Sequence, residues 1–307
     1  MTIINHKRLI YFTALLAALM VLLTSCKSNV EPHADGVIDR ILDTREAILK
    51  KLPTNQHRDT RFLTFWDFDG TIQKGDCTDG LIEDGKESYK GLAEKTINAG
   101  LVSEYPPGTW EKFKRKVELL DKKDHIAYLL AFPRVLKGNT ERKIISFSES
   151  YFSSTLKQYF FDSSIAVIEA LKKKDIAVHV ISASADVYVQ GASRVLGIPN
   201  YQIRGIAMKT KKGKITVNHQ EPVTYGPGKT EVIKISVARL ERLTGSKVYI
   251  LAGFGNSYGT DGDFLAYIAR QKLPAGKTVS VMINGGQAPE KYQGLFLPVK
   301  QVKTILP

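Results

Sequence analysis

Arg61-Phe62-Leu63-Thr64-Phe65-Trp66-Asp67-Phe68-Asp69-Gly70-Thr71 is the stretch on which the fold turns. Its first six residues are rich in aromatic and β-branched types, the composition of a strand. The strand runs straight into two carboxylates, Asp67 and Asp69. Acids two apart on an extended chain point the same way, because side chains alternate. In open α/β sheets ligands bind beyond the carboxyl ends of the strands, where this pair falls. Gly70 lets the chain turn away at once. One carboxylate of such a pair can act as a nucleophile and the other as a proton carrier. Taken alone, the motif also reads as a solvated turn.

Outward from this point, Ile176 to Ile181, Lys247 to Phe254 and Thr278 to Ile283 read as further strands. Helical patterns separate them, including Ser164 to Lys174 and Glu231 to Leu243. The alternation predicts an α/β fold, a parallel-sheet core with helices on both faces. Gly36 to Leu52 has helical apolar spacing and is closed by Pro53. Two short runs between Arg204 and Val217 flank Lys211-Lys212-Gly213-Lys214 and predict a hairpin. Residues 76–160 break the alternation with mostly helical patterns. An insertion of that length is more naturally a cap than a loop. The organisation expected is a core of residues 36–75 and 161–307 carrying a helical cap of residues 76–160.

Three more motifs sit beside predicted strands or helices. Ser182-Ala183-Ser184-Ala185-Asp186 follows Val178 to Ile181. A hydroxyl at Ser182 can donate to a phosphoryl oxygen or cap the next helix, and Asp186 reads as a helix cap. Lys229 lies in Gly226-Pro227-Gly228-Lys229-Thr230. Val223 occupies the place where a nucleotide-binding P-loop needs its first glycine, so that reading is rejected. A lysine at a helix start reaches a phosphate as a point charge instead. Gly255-Asn256-Ser257-Tyr258-Gly259-Thr260-Asp261-Gly262-Asp263 offers oxygen donors on a glycine-rich loop, which suits a hard cation; a polar turn is the bland alternative.

Together, in this order, the four motifs resemble those of the haloacid dehalogenase superfamily, specifically its phosphatases with an inserted helical cap, like phosphoserine phosphatase. The resemblance implies a Rossmann-like core, a need for Mg2+ and an aspartyl-phosphate intermediate. It implies that Asp67 is nucleophile and metal ligand, and that Asp69 is general acid and base with its carbonyl on the metal. Ser182 would bind the phosphoryl group and Lys229 would stabilise its charge, with Thr71, Asp76 and Ala183 on the substrate. Asn256 and Asp261 match the two acidic positions of the metal loop. Asn256 departs from the pattern, because an amide oxygen brings no charge, so Asp261 is expected to supply the anionic ligand, with Asp263 a weaker candidate. Asp69 speaks against carbon–halogen cleavage, which needs no acid for its leaving group. In phosphoserine phosphatase a carboxylate contacts the substrate's amino group at the place of Asp76. That points to an amino-bearing or cationic small phosphorylated metabolite; a helix cap or loop role is the alternative. Two other functions stay open on the same motifs: a phosphotransferase using the same intermediate, and a non-catalytic ligand-binding lipoprotein.

The N-terminus carries a separate message. Lys7 and Arg8 precede an apolar run from Leu9 to Leu23, then Thr24-Ser25-Cys26, the pattern of an export signal. Its ending resembles the lipobox of bacterial lipoproteins. That implies lipid on Cys26, removal of residues 1–25, a tether over residues 26–35 and a membrane-anchored, exported protein. An uncleaved membrane anchor is the alternative. With Cys26 lipidated, Cys77 is the one remaining thiol, so no internal disulfide is available. The net charge of +13 fits attraction to anionic substrates or membranes, or simply a solvated lysine-rich exterior. No nucleic-acid motif accompanies it, and the six histidines show no zinc-ligand spacing. His179, inside a strand, reads as packed. Trp110 and Tyr128 read as cap core.

Overall fold

The computed structural model describes residues 33–305. The export signal, lipidation at Cys26 and most of the tether lie outside the described residues. Among the described residues, no helix is long and apolar enough to cross a membrane.

Helix α1 (His33–Lys51) begins the described chain and buries Ala34, Val37, Ile41, Thr44 and Ile48 along one stripe. Strand β1 (Thr60–Trp66) follows and is buried except at Arg61. After it come the hairpin β2 (Gly80–Glu83) and β3 (Lys86–Lys90), then α2 (Leu92–Asn98), α3 (Trp110–Asp121), α4 (His125–Arg134) and α5 (Glu141–Ser154). The chain continues through α6 (Asp162–Lys172), β4 (Ile176–Ala185), the short helices α7 (Asp186–Val189) and α8 (Ser193–Leu196), and β5 (Ile203–Ile206). A second hairpin, β6 (Met208–Lys211) and β7 (Lys214–His219), precedes α9 (Pro227–Thr244). The remainder is β8 (Lys247–Gly255), α10 (Gly262–Ala269), β9 (Val279–Ile283) and β10 (Leu297–Val299).

Six of these strands form one parallel sheet in the order β10-β9-β8-β1-β4-β5. α1 and α6 pack together on one face, while α9 and α10 pack together on the other. Two buried apolar clusters correspond to these layers, one containing Ile41, Trp66 and Val178, the other Phe65, Ile233 and Leu265. The parallel core with helices on both faces is therefore as the sequence predicts. β1 lies at its centre, with Trp66 in register with Val180 of β4 and Phe254 of β8. The chain moves outward from β1 first to β4 and β5, then crosses back to β8. That reversal opens a crevice at the carboxyl ends of β1, β4 and β8.

Two strands escape the sequence reading. Ile203–Ile206 pairs with β4 at the sheet edge instead of opening the hairpin. Leu297–Val299 is three residues long and carries Pro298, which only an edge strand tolerates. The insertion after β1 is helical over α2 to α5 but opens with β2 and β3, joined by Asp84-Gly85, both at positive φ. It leaves and re-enters side by side, with Lys74 N donating to Tyr159 O at 2.8 Å. The β6–β7 hairpin reaches across to it. Ile215 N donates to Asn139 O at 2.8 Å and Gly138 N to Ile215 O at 2.9 Å.

Helix α1 docks through residues such as Ile41, fully buried, whereas Ile235 on α9 is 55% exposed. Ile41→Ala is expected to lower the free energy of unfolding by about 2–5 kcal/mol. Ile235→Ala should stay within about 0.5 kcal/mol of the parent. Urea unfolding of both variants checks this; equal small effects would mean that α1 is not part of the cooperative core.

Candidate active site

Asp67 follows β1 directly, and its backbone N–H is fixed on Phe254 O of β8 at 2.8 Å. Its carboxylate accepts from Lys229 Nζ at 2.6 Å on Oδ1 and from Thr71 Oγ1 at 3.0 Å on Oδ2. Lys229 stands in the first turn of α9 and is fully buried. The same ammonium donates to Asp261 Oδ1 at 2.6 Å, and Asp261 is also fully buried. Burial works to lower the Lys229 pKa, but Asp261 and Asp67 outweigh it and hold the ammonium charged. Burial, reinforced by the Asp261 carboxylate, pushes Asp67 up to about 7.

Asp69 occupies the next outward position. Its Oδ1 accepts from Cys77 N at 2.6 Å and its Oδ2 from Ser184 Oγ at 2.7 Å. Thr78 Oγ1 in turn donates to Ser184 Oγ at 3.0 Å. Burial raises the Asp69 carboxyl above its usual range, and these donors only partly oppose it. A carboxyl whose charged form is disfavoured in this way is suited to carrying a proton and handing it on. Gly70 has φ of +76°, and a Cβ there would meet Asn256 Nδ2 at 2.0 Å. Only glycine allows the two loops to approach this closely.

A cavity of about 280 Å³ opens above these groups. Asp67, Asp69 and Asn256 form its floor, and Ala183 and Ser184 one wall. Asp76, Asp79 and Tyr128 from the insertion form the other. A larger hollow of about 710 Å³ lies at the opposite end of β1 and β4, near Arg45, Arg61 and Lys172, and contains none of the motif residues.

The structure thus brings together Asp67, Asp69, Thr71, Asp76, Ala183, Lys229 and Asn256, and corrects several roles. Asp261 does not reach the cavity: its Oδ1 is held by Lys229 and its Oδ2 by Asn256 N and Ser257 N at 3.0 Å each. It is a partner of the lysine rather than the anionic metal ligand. Ser182 is sealed from the cavity; its hydroxyl accepts from Ser184 N at 2.9 Å and lies 3.4 Å from Asp69 Oδ2. Asp186 caps no helix. Its Oδ1 accepts from Gly205 N at 2.8 Å, tying β4 to β5. Asp263 accepts from Tyr292 Oη at 2.8 Å, in a separate contact. Asp76 makes a tight turn, Oδ1 accepting from Thr78 N and Asp79 N, while still lining the cavity. His179 is packed against Phe65, and burial lowers it to about 4. Trp110 packs against Phe113, but Tyr128 lines the cavity instead of serving only the cap core. Ser184, Thr78, Asp79, His125 and Tyr225 are site residues that sequence reasoning missed. Ser184 stood inside a quoted motif; the others carried no local signal.

The cavity floor also fits a divalent cation. Asp67 and Asp261 share one buried cation, Lys229, and Asp69 and Asp76 line the same cavity as Asp67. Burial and the Asp69 carboxylate raise Asp76 well above its usual range. The available donors are carboxylate, carbonyl and amide oxygens, the set preferred by Mg2+. Asp67, the carbonyl of Asp69 and the side-chain oxygen of Asn256 are the residues that would hold it.

A family model described as haloacid dehalogenase-like hydrolase matches residues 64–259. Among solved structures, a protein of unknown function from Bordetella pertussis Tohama I superposes with a TM-score of 0.54 at 12% identity. It covers 78% of this chain and 98% of that one. Cytosolic 5'-nucleotidase IIIB, bound to cytidine, gives 0.51 at 15% identity, covering 92% and 93%. A substrate-bound phosphoserine phosphatase gives 0.42 at 16% identity, covering 78% and 92%, a superposition too loose to bear on substrate. At these identities the likeness is one of fold. No curated protein matches the chain in sequence.

Because the folded pKa of Asp67 is raised from 3.8 to about 7, the folded chain retains a proton there that the unfolded chain has lost. Its contribution to stability is full in acid and disappears as pH rises through 7. In chelator, the fall in unfolding free energy between pH 4 and pH 7 should therefore be shallower for Asp67→Asn than for the parent. Denaturant titrations across that range measure it, and parallel curves would contradict the assignment.

Proposed function

The chain belongs to the haloacid dehalogenase-like hydrolases, and from that premise we propose that it is a Mg2+-dependent phosphomonoester hydrolase working through an aspartyl-phosphate. One observation carries the reading: Lys229 Nζ lies 2.6 Å from both Asp67 and Asp261, in a fully buried position. Residues separated by more than 160 positions in the sequence meet where a carboxylate nucleophile needs charge compensation.

In this reading an Asp67 carboxylate oxygen attacks phosphorus in line with the ester oxygen. The bond from phosphorus to that oxygen breaks, and Asp69 donates its proton to the departing alcohol. The phosphoryl group is then an acyl phosphate on Asp67. Asp69, now ionised, takes a proton from water as the water oxygen attacks phosphorus; the bond to Asp67 breaks and phosphate leaves. Ser184, Cys77 N and the nearby Ser182 hydroxyl hold the Asp69 carboxylate in one orientation throughout. Lys229 favours the ionised form of Asp67, against the burial that pushes it up, and offsets the charge that builds on the phosphoryl oxygens. When bound, Mg2+ supplies Lewis-acid compensation between nucleophile and phosphate, which otherwise repel each other. Export and a lipid anchor at Cys26 complete the proposal, placing the enzyme at a membrane surface outside the cytoplasm.

Asp67→Asn is expected to lower turnover of 4-nitrophenyl phosphate by more than about 10³-fold while the protein stays folded. Activity near the parent rate would sink the nucleophile assignment. For Asp69→Asn, the loss should reach about 10²–10⁴-fold on alkyl phosphates and be far smaller on 4-nitrophenyl phosphate, whose leaving group needs no proton. Initial rates on matched esters give the comparison, and equal losses would remove Asp69 from the acid role.

A further inference from the structure

The two halves of the cavity differ in chemistry. The floor holds Asp67 and Asp69, backed by Lys229. The outer half is built by the insertion and one core loop: Asp76, Asp79, His125 and Tyr128 from the former, Tyr225 from the latter. Tyr128 Oη donates to Asp79 Oδ2 at 2.7 Å. The His125 ring stacks on Tyr128 with centroids 5.4 Å apart and meets the Tyr225 ring at 5.0 Å. Phe132 stands edge-on behind Tyr128 at 5.1 Å. His125 is itself anchored, its Nδ1 lying 2.6 Å from Asp121 Oδ1. Among the described residues, no lysine or arginine lines this space.

Carboxylates and aromatic rings around one small volume attract an organic cation, by charge and by the ring quadrupole. They repel a second anionic group. The volume, about 280 Å³ for phosphate and leaving group together, lies below the range of roughly 300–1,000 Å³ typical of drug-sized ligands. It suits an alcohol of few atoms.

We propose that the outer half is a subsite for the ammonium group of a small amino-alcohol phosphate, formed by Asp79, Tyr128, His125 and Tyr225. This rests on the phosphatase reading above. It is independent of the expectation attached to Asp76, whose Oδ1 is already engaged by two backbone amides. Asp79 and the rings contact the cation, with Asp76 beside them on the same side of the cavity. Because Tyr225 precedes Lys229 by only four residues on the core side, a bound cation touches both the insertion and the loop that leads to the buried lysine.

The test compares kcat/KM for phosphocholine, phosphoethanolamine, 3,3-dimethylbutyl phosphate and cytidine monophosphate, with 4-nitrophenyl phosphate as the general reporter. 3,3-Dimethylbutyl phosphate has the shape of phosphocholine without its charge. At least one amino ester should exceed this neutral analogue by about tenfold or more. Phosphocholine leading would assign the discrimination mainly to the rings, phosphoethanolamine leading mainly to the carboxylates, and both support the subsite. Asp79→Asn and Tyr225→Leu should each shrink the cationic-to-neutral ratio at least severalfold. Equal rates on charged and neutral esters, a nucleotide preferred over all others, or a ratio unmoved in both variants would overturn the subsite and leave the phosphatase reading standing. No turnover of 4-nitrophenyl phosphate would overturn the phosphatase reading itself, and the subsite with it.

Discussion

A single ammonium group, that of Lys229, sits in the protein interior between the carboxylates of Asp67 and Asp261. Moving three charges out of water is costly, and their attraction offsets that cost only with good geometry and full hydrogen bonding. Both conditions are met here. Asp261 receives two backbone amides in addition to the lysine, and Asp67 receives Thr71. The arrangement fixes three separate pieces of chain relative to one another: the end of β1, the start of α9 and the loop after β8. It also sets two carboxylates against a single ammonium, with Asp69 close by. It is on this surplus of acids that the proposed metal on the floor and the proposed cationic group further out both depend.

The sheet supplies the rest of the positioning. β1 is flanked on both sides by strands that run on past its end, β4 to Ala185 and β8 to Gly255, so the residue after Trp66 emerges into a crevice instead of onto an edge. The tight turn at Gly70 brings the Asn256 loop against the first motif. Asp69 is held by the insertion through Cys77 and by β4 through Ser184. Asp69 is therefore oriented by two elements that are far apart in sequence, whereas Asp67 is oriented by the core alone.

Much of this was legible from the amino acids. Strand ends rich in carboxylate, hydroxyl and amide groups carried both the topology and the members of the site, because the alternation of strands and helices leaves few other ways to bury so many apolar runs. What could not be read was direction. In the sequence Asp261 reads as the anionic metal ligand and Asn256 as the departure from the pattern; only the fold turns Asp261 toward a lysine and Asn256 toward the cavity. Ser182 and Ser184 are similar by composition, yet Ser184 is the one that holds Asp69 and faces the open space. Tyr128 follows the helical spacing of a core residue and reaches the cavity only because α4 crosses its mouth. The short strands β5 and β10 carry too few residues for periodicity to show, and Asp84-Gly85 was a turn signal overlooked inside a helical region.

The β6–β7 hairpin, bonded to the insertion at Gly138, Asn139 and Ile215, adds a third attachment to the paired crossing at Lys74 and Tyr159. Helix α5 packs against α7 and α8 as well, and Thr96 Oγ1 lies 2.9 Å from Tyr188 Oη, so the insertion is stitched to the core over much of its length. The rim of the cavity where His125 meets Tyr225 is thereby framed by two parts of the chain that are tied together, so its shape follows that of the core.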